Sequence, residues 1–268
     1  LPSFQFGFRK NRSTTSAAAT LFELAHSRIA NKKRLYACLF DFSKAFDLVD
    51  RSLLMCKLQV LGFPLPFCSL LPYILKHIRM YARSDNSLSE PFLTTNGVPQ
   101  GDSLSPLLFS LYTSDLPNCL AHQPPLLNGT PIPYLLYADD LIVLADSRDE
   151  LQIAIDSVSS YCQEFNLTIN AKKTQYIIFH KGRLPKNSNV FLDGRTIKRE
   201  NSVSYLGFTF SSQLRFTQHL NKLCDKARAR ISFLFPAIPL SPLPFAILMA
   251  VFDVYILPIF KYGLCLWL

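Results

Sequence analysis

Tyr134-Leu135-Leu136-Tyr137-Ala138-Asp139-Asp140-Leu141-Ile142-Val143-Leu144-Ala145 is the stretch on which the reading of this chain turns. Apolar residues flank two adjacent aspartates on both sides, a pattern that predicts two strands joined by a tight turn with the acidic pair at its tip. Two ionised carboxylates side by side repel each other, and next to such apolar strands they also lose hydration. A divalent cation answers both costs, because hard oxygen ligands are what Mg²⁺ prefers. An exposed hairpin turn that merely contains Asp-Asp is the plainer alternative.

A third carboxylate shifts the balance. Leu35 to Phe42 (LYACLFDF) reads as a short buried strand with Asp41 near its end. Three carboxylates can then converge at the ends of adjacent strands. Two divalent ions held about 3.5–4 Å apart by such a set activate a 3′-hydroxyl and stabilise a leaving pyrophosphate. A helix cap at Asp41-Phe42-Ser43 is the alternative for Asp41, although Asp47 and Asp50 suit a first-turn or capping role better.

Working outward, Thr14 to Ala30 has apolar residues at three- and four-residue steps and predicts a helix. Ser43 to Leu61 predicts another, ending at Gly62 with Pro64 beyond it. Leu104 to Leu116 follows, with the Ser105 hydroxyl placed to accept from a free first-turn amide and Pro106 suited to the first turn. Asp149 to Phe165 is helical by period, and Thr174 to His180 is a strand. Val190 to Phe210 holds two or three more strands. Leu214 to Phe235 is a basic helix, and Pro244 to Pro258 a further one. The alternation lacks the glycine-rich turns of a doubly wound nucleotide fold. An antiparallel-containing sheet with helices packed on one face, an α+β architecture, fits better.

Composition narrows the class. The chain has 268 residues, 49% hydrophobic and 18% charged, so it can bury a core and is not disordered by composition. It starts at Leu1 and stops at Trp267-Leu268 inside an apolar stretch, and is expected to be an excised piece without a signal segment. The greasiest stretch, Phe233 to Phe260, is interrupted by Pro236, Pro239, Pro242, Pro244, Asp253 and Pro258. Only Phe245 to Phe252 runs unbroken, short of the ~20 apolar residues a span needs, so no membrane crossing is expected. The seven cysteines include no C-x-x-C pair. Most are expected to be small buried hydrophobes in a reducing compartment, nuclear or cytoplasmic, rather than disulfides or zinc ligands.

The net charge of +9 is unevenly spread. Residues 1–40 hold seven Lys/Arg against Glu23 alone, residues 41–168 hold seven against fourteen Asp/Glu, and residues 169–230 hold thirteen against three. A basic–acidic–basic order suits a chain that grips a polyanion with its ends and holds cations in its middle. Two solvated basic faces would produce the same order.

Several boxes resemble those of one family. Tyr137-Ala138-Asp139-Asp140 and Leu39-Phe40-Asp41-Phe42-Ser43-Lys44-Ala45-Phe46-Asp47 resemble the two metal-binding boxes of reverse transcriptases. Asn96-Gly97-Val98-Pro99-Gln100-Gly101-Asp102-Ser103-Leu104-Ser105-Pro106 is similar to their template and nucleotide box. Gln5-Phe6-Gly7-Phe8-Arg9, Lys172-Lys173-Thr174 and Tyr205-Leu206-Gly207 also match, all in family order. The wording is closest to reverse transcriptases of non-LTR, LINE-like retrotransposons.

This resemblance implies a right-hand polymerase fold. Residues 1–210 would be partial fingers and a palm, an antiparallel sheet backed by helices, and residues 211–268 a truncated helical thumb. It also implies an RNA-directed DNA polymerase using two Mg²⁺ ions, with Mn²⁺ a possible substitute, and RNA template, DNA primer and dNTPs as partners. Asp41, Asp139 and Asp140 would hold the ions, with the Phe42 carbonyl an extra ligand. Phe46 would be the sugar gate, its ring leaving no room for a 2′-hydroxyl; a core aromatic is the alternative. Gln100 would hydrogen-bond nucleotide or template, Gly101 would let the backbone approach the nucleic acid closely, and Pro99 would contact the nucleic acid beside them; a simple loop turn is the alternative. Lys173 would be the general acid for pyrophosphate, with Lys172 its rival and a solvated lysine the alternative.

Tyr205-Leu206-Gly207 would form a hairpin that supports the primer end, with a plain strand turn the alternative. Arg9, Lys10 and Arg12 would contact template backbone or triphosphate. The 215–235 helix, with Arg215, Lys222, Lys226, Arg228 and Arg230, would face the duplex unless it is merely solvated. The ending Leu257 to Gly263, with Trp267, resembles the close of the thumb. The family's upstream fingers segment, endonuclease domain and Cys/His cluster would lie outside this stretch, and weak processive synthesis is expected of residues 1–268 alone. An RNA-dependent RNA polymerase would use the same carboxylates with a polar group in place of Phe46. An inactive nucleic-acid-binding remnant would be expected to have lost one aspartate, and all three are present.

Overall fold

The apolar run Leu35–Phe40 forms the central strand of a five-stranded sheet in the computed structural model, which describes residues 1–85, 87–184, 188–234 and 244–266. Along the chain the main elements are α1 (Thr14–Ala30), β1 (Leu35–Phe40), α2 (Arg51–Val60), α3 (Leu65–Lys76) and α4 (Ser105–Tyr112). They continue with β2 (Tyr134–Tyr137), β3 (Asp140–Ala145), α5 (Arg148–Glu164), β4 (Gln175–Phe179) and β5 (Lys198–Glu200). Last come β6 (Ser202–Tyr205), β7 (Phe208–Ser211), α6 (Thr217–Leu234), α7 (Phe245–Val251) and α8 (Leu257–Lys261). The sheet order is β5-β4-β1-β3-β2, antiparallel throughout except for the parallel β4–β5 pair.

All six residues of β1 are buried, which is why the run is apolar without alternation. Tyr36, Cys38 and Phe40 point into a core shared with α2, α3, α4 and α5. Leu35, Ala37 and Leu39 point the other way, into a core shared with α1 and the β6–β7 hairpin. Helices therefore cover both faces, not one. The physical reason is β1 itself: a strand with apolar side chains on both sides needs cover on both.

Local signals explain where the helices begin. Ser13 and Ser16 form a reciprocal capping box on α1. Ser147 caps α5 by accepting from the Glu150 amide at 3.2 Å. Asp50 caps α2, its Oδ1 accepting from the amides of Ser52 at 2.8 Å and Leu53 at 3.0 Å. The helix expected from Ser43 thus starts only at Arg51. Lys44 lies in the left-handed region at φ 49°, and the Ser43 amide donates to Thr168, so residues 43–49 turn instead of winding. At α4 the expected serine cap is absent. Leu104 is the cap, and the Ser105 hydroxyl is buried without a partner. Residues 62–103, for which the pattern offers no element, fold into α3 and two short antiparallel ladders.

Two further expectations change. Among the seven cysteines, Cys38, Cys68 and Cys162 are buried, whereas Cys56, Cys119, Cys224 and Cys265 are exposed. Burial of most of them does not hold, because the latter four sit on outward faces. The basic helix begins at Thr217, and Phe235, its expected end, lies outside the described residues, as do Pro236, Pro239, Pro242 and Trp267. Asp253 and Pro258 do not break the last helix. A π-helical turn at Phe252–Ile256 absorbs the irregularity, and Pro258 enters at the first turn of α8, where no amide is needed. One helix among the described residues, Phe245–Leu266, is in consequence long and apolar enough to cross a membrane, so the exclusion by length falls.

That helix is tied back to the β6–β7 hairpin and to α1. Tyr262 stacks on Phe208 at 4.9 Å, and its hydroxyl shares hydrogen bonds of 2.8 Å with the Thr14 hydroxyl and the Leu206 carbonyl.

Candidate active site

Pairing of Tyr137 with Asp140 closes the β2–β3 hairpin on a two-residue loop, Ala138-Asp139, with Ala138 at φ 56°. On the neighbouring strand the last pair is Phe40 with Leu141, so the next residue of each strand, Asp41 and Asp140, meet at the same end of the sheet. Strand alternation turns both toward the face of Leu39 and Ile142. Asp41 and Asp140 line one recess of about 120 Å³ together with Lys173, Gln175, Ser204 and Tyr205. Asp139 opens on another of about 350 Å³, lined by Lys44, Phe46, Pro99, Gln100, Gly101 and Ser105. Only the second falls within the usual range of small-molecule sites.

The main chain holds Asp41 firmly. Its amide donates to Thr174 Oγ1 at 3.4 Å, and its carbonyl accepts from the Asn170 amide at 2.7 Å. Phe42, next along, is buried and bridged to Ile169. Water reaches part of Asp140, yet the protein around its carboxyl desolvates it and pushes its pKa up to about 6, and the charges of Asp139 and Asp41 act in the same direction. Lys173 Nζ lies 3.7 Å from Asp41 Oδ2, with both side chains well exposed, so solvent screens the pair. Lys173, not Lys172, lines the recess.

The carboxylates fit a divalent cation by their chemistry. Among the described residues no group of three His, Cys, Asp or Glu side chains is placed to hold a metal ion by itself. Three hard-oxygen donors nevertheless gather at one sheet end, where the charges of Asp139 and Asp41 add to the burial that raises Asp140. Magnesium sites of the polymerase kind use one or two carboxylates and complete the shell with substrate phosphates and water.

The larger recess is built by zipping two segments together. The Val98 amide donates to the Phe46 carbonyl at 2.9 Å, and the Gly97 amide to that of Val49 at 2.8 Å. Gln100 Nε2 donates to Asp47 Oδ1 at 3.1 Å. Arg51, overlooked in the sequence, clamps the loop: its guanidinium donates to the Gly97 carbonyl at 2.8 Å, the Thr94 carbonyl at 2.7 Å and the Thr94 hydroxyl at 2.9 Å. Phe46 is half-buried, its ring stacked on Phe109. Lys44, also overlooked as an individual side chain, is the cation of this recess.

The remaining expected residues are distributed around this centre. Tyr205 pairs with Phe208, leaving Leu206-Gly207 as the β6–β7 turn at φ 45° and 85°, the two left-handed positions a tight hairpin favours. The Tyr205 hydroxyl is buried without a partner, and Asp140 adds to the burial that raises its pKa. Arg9 is turned inward, donating to Pro2 at 2.6 Å and to Gln5 at 3.4 Å. Lys10 and Arg12 are exposed, with Arg12 over the Phe6 ring. On α6, Lys222 donates to Thr209 Oγ1 at 3.0 Å, Arg228 pairs with Asp225 and Arg230 donates to the Tyr255 carbonyl. Arg215, which precedes that helix, and Lys226 on it are exposed.

Residues 1–210 match the family model described as reverse transcriptase (RNA-dependent DNA polymerase). The whole chain is 31% identical to a probable RNA-directed DNA polymerase from transposon BS of Drosophila melanogaster, covering 30% of it. Over 87% of its length it is 28% identical to the RNA-directed DNA polymerase from mobile element jockey of the same species, covering 26% of it. The chain spans less than a third of these curated relatives. Among solved structures, apo telomerase from Candida tropicalis aligns with a TM-score of 0.52 at 16% identity, over 75% of this chain and 39% of that one. At that identity the likeness is one of fold.

Proposed function

Given that this chain belongs to the reverse transcriptase (RNA-dependent DNA polymerase) family, we propose that it adds dNTPs to the 3′-hydroxyl of a DNA primer along an RNA template, as part of a non-LTR retrotransposon. The observation that carries this reading is the meeting of Asp41 with the Asp139-Asp140 turn at one sheet end, between a smaller and a larger recess. Asp41, Asp139 and Asp140, with the Phe42 carbonyl, would hold two Mg²⁺ ions or Mn²⁺ in their place. When bound, such ions supply charge neutralisation at the reacting phosphate and lower the pKa of the attacking hydroxyl.

This chain's own residues do the rest. The larger recess takes the nucleotide: Phe46 lies under the sugar, Gln100 and Gly101 lie along it with Pro99 shaping the loop, and Lys44 adds positive charge. The 3′-oxygen attacks the α-phosphorus, the bond to pyrophosphate breaks and the hydroxyl proton passes to solvent water. Lys173, on the Asp41 side, is the candidate proton donor to pyrophosphate. Tyr205-Leu206-Gly207 supports the primer end. Lys10 and Arg12, with Arg9 behind them, meet the template, while Arg215, Lys222 and Lys226 meet the duplex. Residues 1–210 serve as partial fingers and palm, and residues 211–268 as thumb.

Primer extension on an RNA template with dNTPs and Mg²⁺, run beside Asp139→Asn, tests the reading. Loss of a metal-binding carboxylate is expected to cost at least about a hundredfold in rate. Equal activity in the two proteins would remove Asp139 from the site.

A further inference from the structure

We propose that Gln5 is a positioning residue that holds the Asp139-Asp140 turn in shape for cation binding, an inference that rests on that turn holding the cations. Gln5 is fully buried. Its side-chain oxygen accepts from the Gly7 amide at 2.8 Å and the Ala138 amide at 3.4 Å. Both neighbours are N–H donors, so the oxygen and not the nitrogen must face them. The Ala138 amide belongs to the first residue of the turn, held at φ 56°, a conformation a residue with a side chain adopts only when its surroundings enforce it.

The main chain around Gln5 is anchored to the same hairpin. The Phe6 amide donates to the Leu136 carbonyl at 2.7 Å, and the Leu136 amide donates to the Phe4 carbonyl at 3.0 Å. Residues 4–6 thereby run parallel to β2 and cover the sheet edge next to the turn. Gly7 then passes so close that a Cβ there would lie 2.6 Å from the Ala138 nitrogen and 3.2 Å from the Tyr137 carbonyl carbon. A side chain at position 7 would push the turn away. Arg9 folds the segment back by donating to Pro2, which keeps the Gln5 backbone from sliding along the edge. The Gln5 nitrogen remains buried without a partner, so the amide is present for its acceptor.

The test uses the 268-residue chain and Mn²⁺ as the probe, with hydrogen exchange at residues 136–141 and Mn²⁺ titration by electron paramagnetic resonance as readouts. Gln5→Met keeps length and burial but removes the acceptor. It is expected to accelerate exchange in that peptide while β1 and β4 exchange as before. It is also expected to weaken Mn²⁺ binding about tenfold, as loss of a residue supporting a metal ligand does. Gln5→Glu, which keeps an acceptor oxygen at the same reach, is expected to retain turn protection.

In primer extension, Gln5→Met should lower kcat and leave KM for dNTP within about twofold. Exchange and Mn²⁺ affinity unchanged in Gln5→Met would overturn the proposal, as would a Gln5→Glu turn as unprotected as that of Gln5→Met. Asp139→Asn separates the two readings. If it too leaves Mn²⁺ binding intact, the cation assignment falls, while exchange still decides whether Gln5 holds the turn.

Discussion

The ring of Phe46 stacks on that of Phe109, centroid to centroid at 4.8 Å and 26° between planes. Phe109 is fully buried in α4, so the face that Phe46 turns to the larger recess has a rigid wall behind it. A gate against a 2′-hydroxyl works only if it cannot recede. Phe46→Val is therefore expected to raise ribonucleotide incorporation relative to dNTP by about tenfold or more. Phe109→Leu should relax the same ratio less, because it gives Phe46 room without removing it, and should cost about 1–2 kcal/mol from the lost core volume. The ratio of kcat/KM for matched ribo- and deoxynucleotides decides this. An unchanged ratio in Phe46→Val would show that the ring is a core aromatic.

Gly97 sits at φ +83°, and a Cβ there would meet the Asp47 carbonyl oxygen at 2.7 Å and its Cα at 2.9 Å. The obstacle is backbone, which cannot rotate away. Gly97→Ala is expected to destabilise the chain by about 1–3 kcal/mol. Because the same residue zips the 96–101 loop to Val49, KM for dNTP should rise more than kcat falls. Urea denaturation and steady-state kinetics check both parts, and wild-type values in each would disprove the close-approach argument.

The Asp139-Asp140 hairpin and β1 were legible in sequence for a local reason. An apolar run broken only by adjacent acids has few folds open to it, and both runs are short enough to be strands. Residues 43–49 misled because Ala45, Phe46 and Val49 fall at helical steps while their backbone is committed elsewhere, Phe46 to Val98 and Val49 to Gly97. The Gln5 contact with the turn and the Arg51 clamp do not show in the sequence because Ala138 and Gly97 are reached through main-chain atoms of distant segments, which no side-chain pattern encodes. Helix cover on both sheet faces was implicit in the unbroken apolarity of Leu35–Phe40. Pro258 looks like a break in sequence because a proline shows its missing amide there but not the π-turn that accommodates it.

His122 is buried, and its ring hydrogen-bonds the Leu144 carbonyl at 2.9 Å. Burial lowers its pKa below the usual 6.5, against smaller opposing effects of that hydrogen bond and Glu150. The unfolded chain therefore binds a proton near pH 6.5 that the folded chain refuses. Its contribution to stability is full above that pH and is lost as pH falls beneath it. His219 is shifted the same way, by burial and then by Lys226 and Lys222. His122→Gln can still donate to Leu144 but does not titrate, so it should flatten part of the loss between about pH 8 and pH 5. Urea midpoints measured across that range give the slope. A slope identical to wild type would place the titrating group elsewhere.

Lys57 Nζ donates to Asp115 Oδ1 at 2.6 Å, to the Tyr161 hydroxyl at 2.8 Å and to the Tyr112 carbonyl at 2.5 Å, and lies 3.4 Å from the centre of the Phe165 ring. Burial lowers its pKa, while Asp115 works to keep the charge. The side chain of Lys57 is 10% exposed and that of Asp115 39%, so removing the lysine strands a carboxylate that can still recruit water. Lys57→Met is accordingly expected to cost about 2 kcal/mol, below the ~3–5 kcal/mol of a fully buried broken pair. Adding Asp115→Leu removes the stranded charge, so the double variant should lose less than the two single losses together by at least about 1 kcal/mol. Strict additivity in urea denaturation would mean that the ammonium and the carboxylate do not depend on each other, and that aromatic packing alone holds α2 against α5.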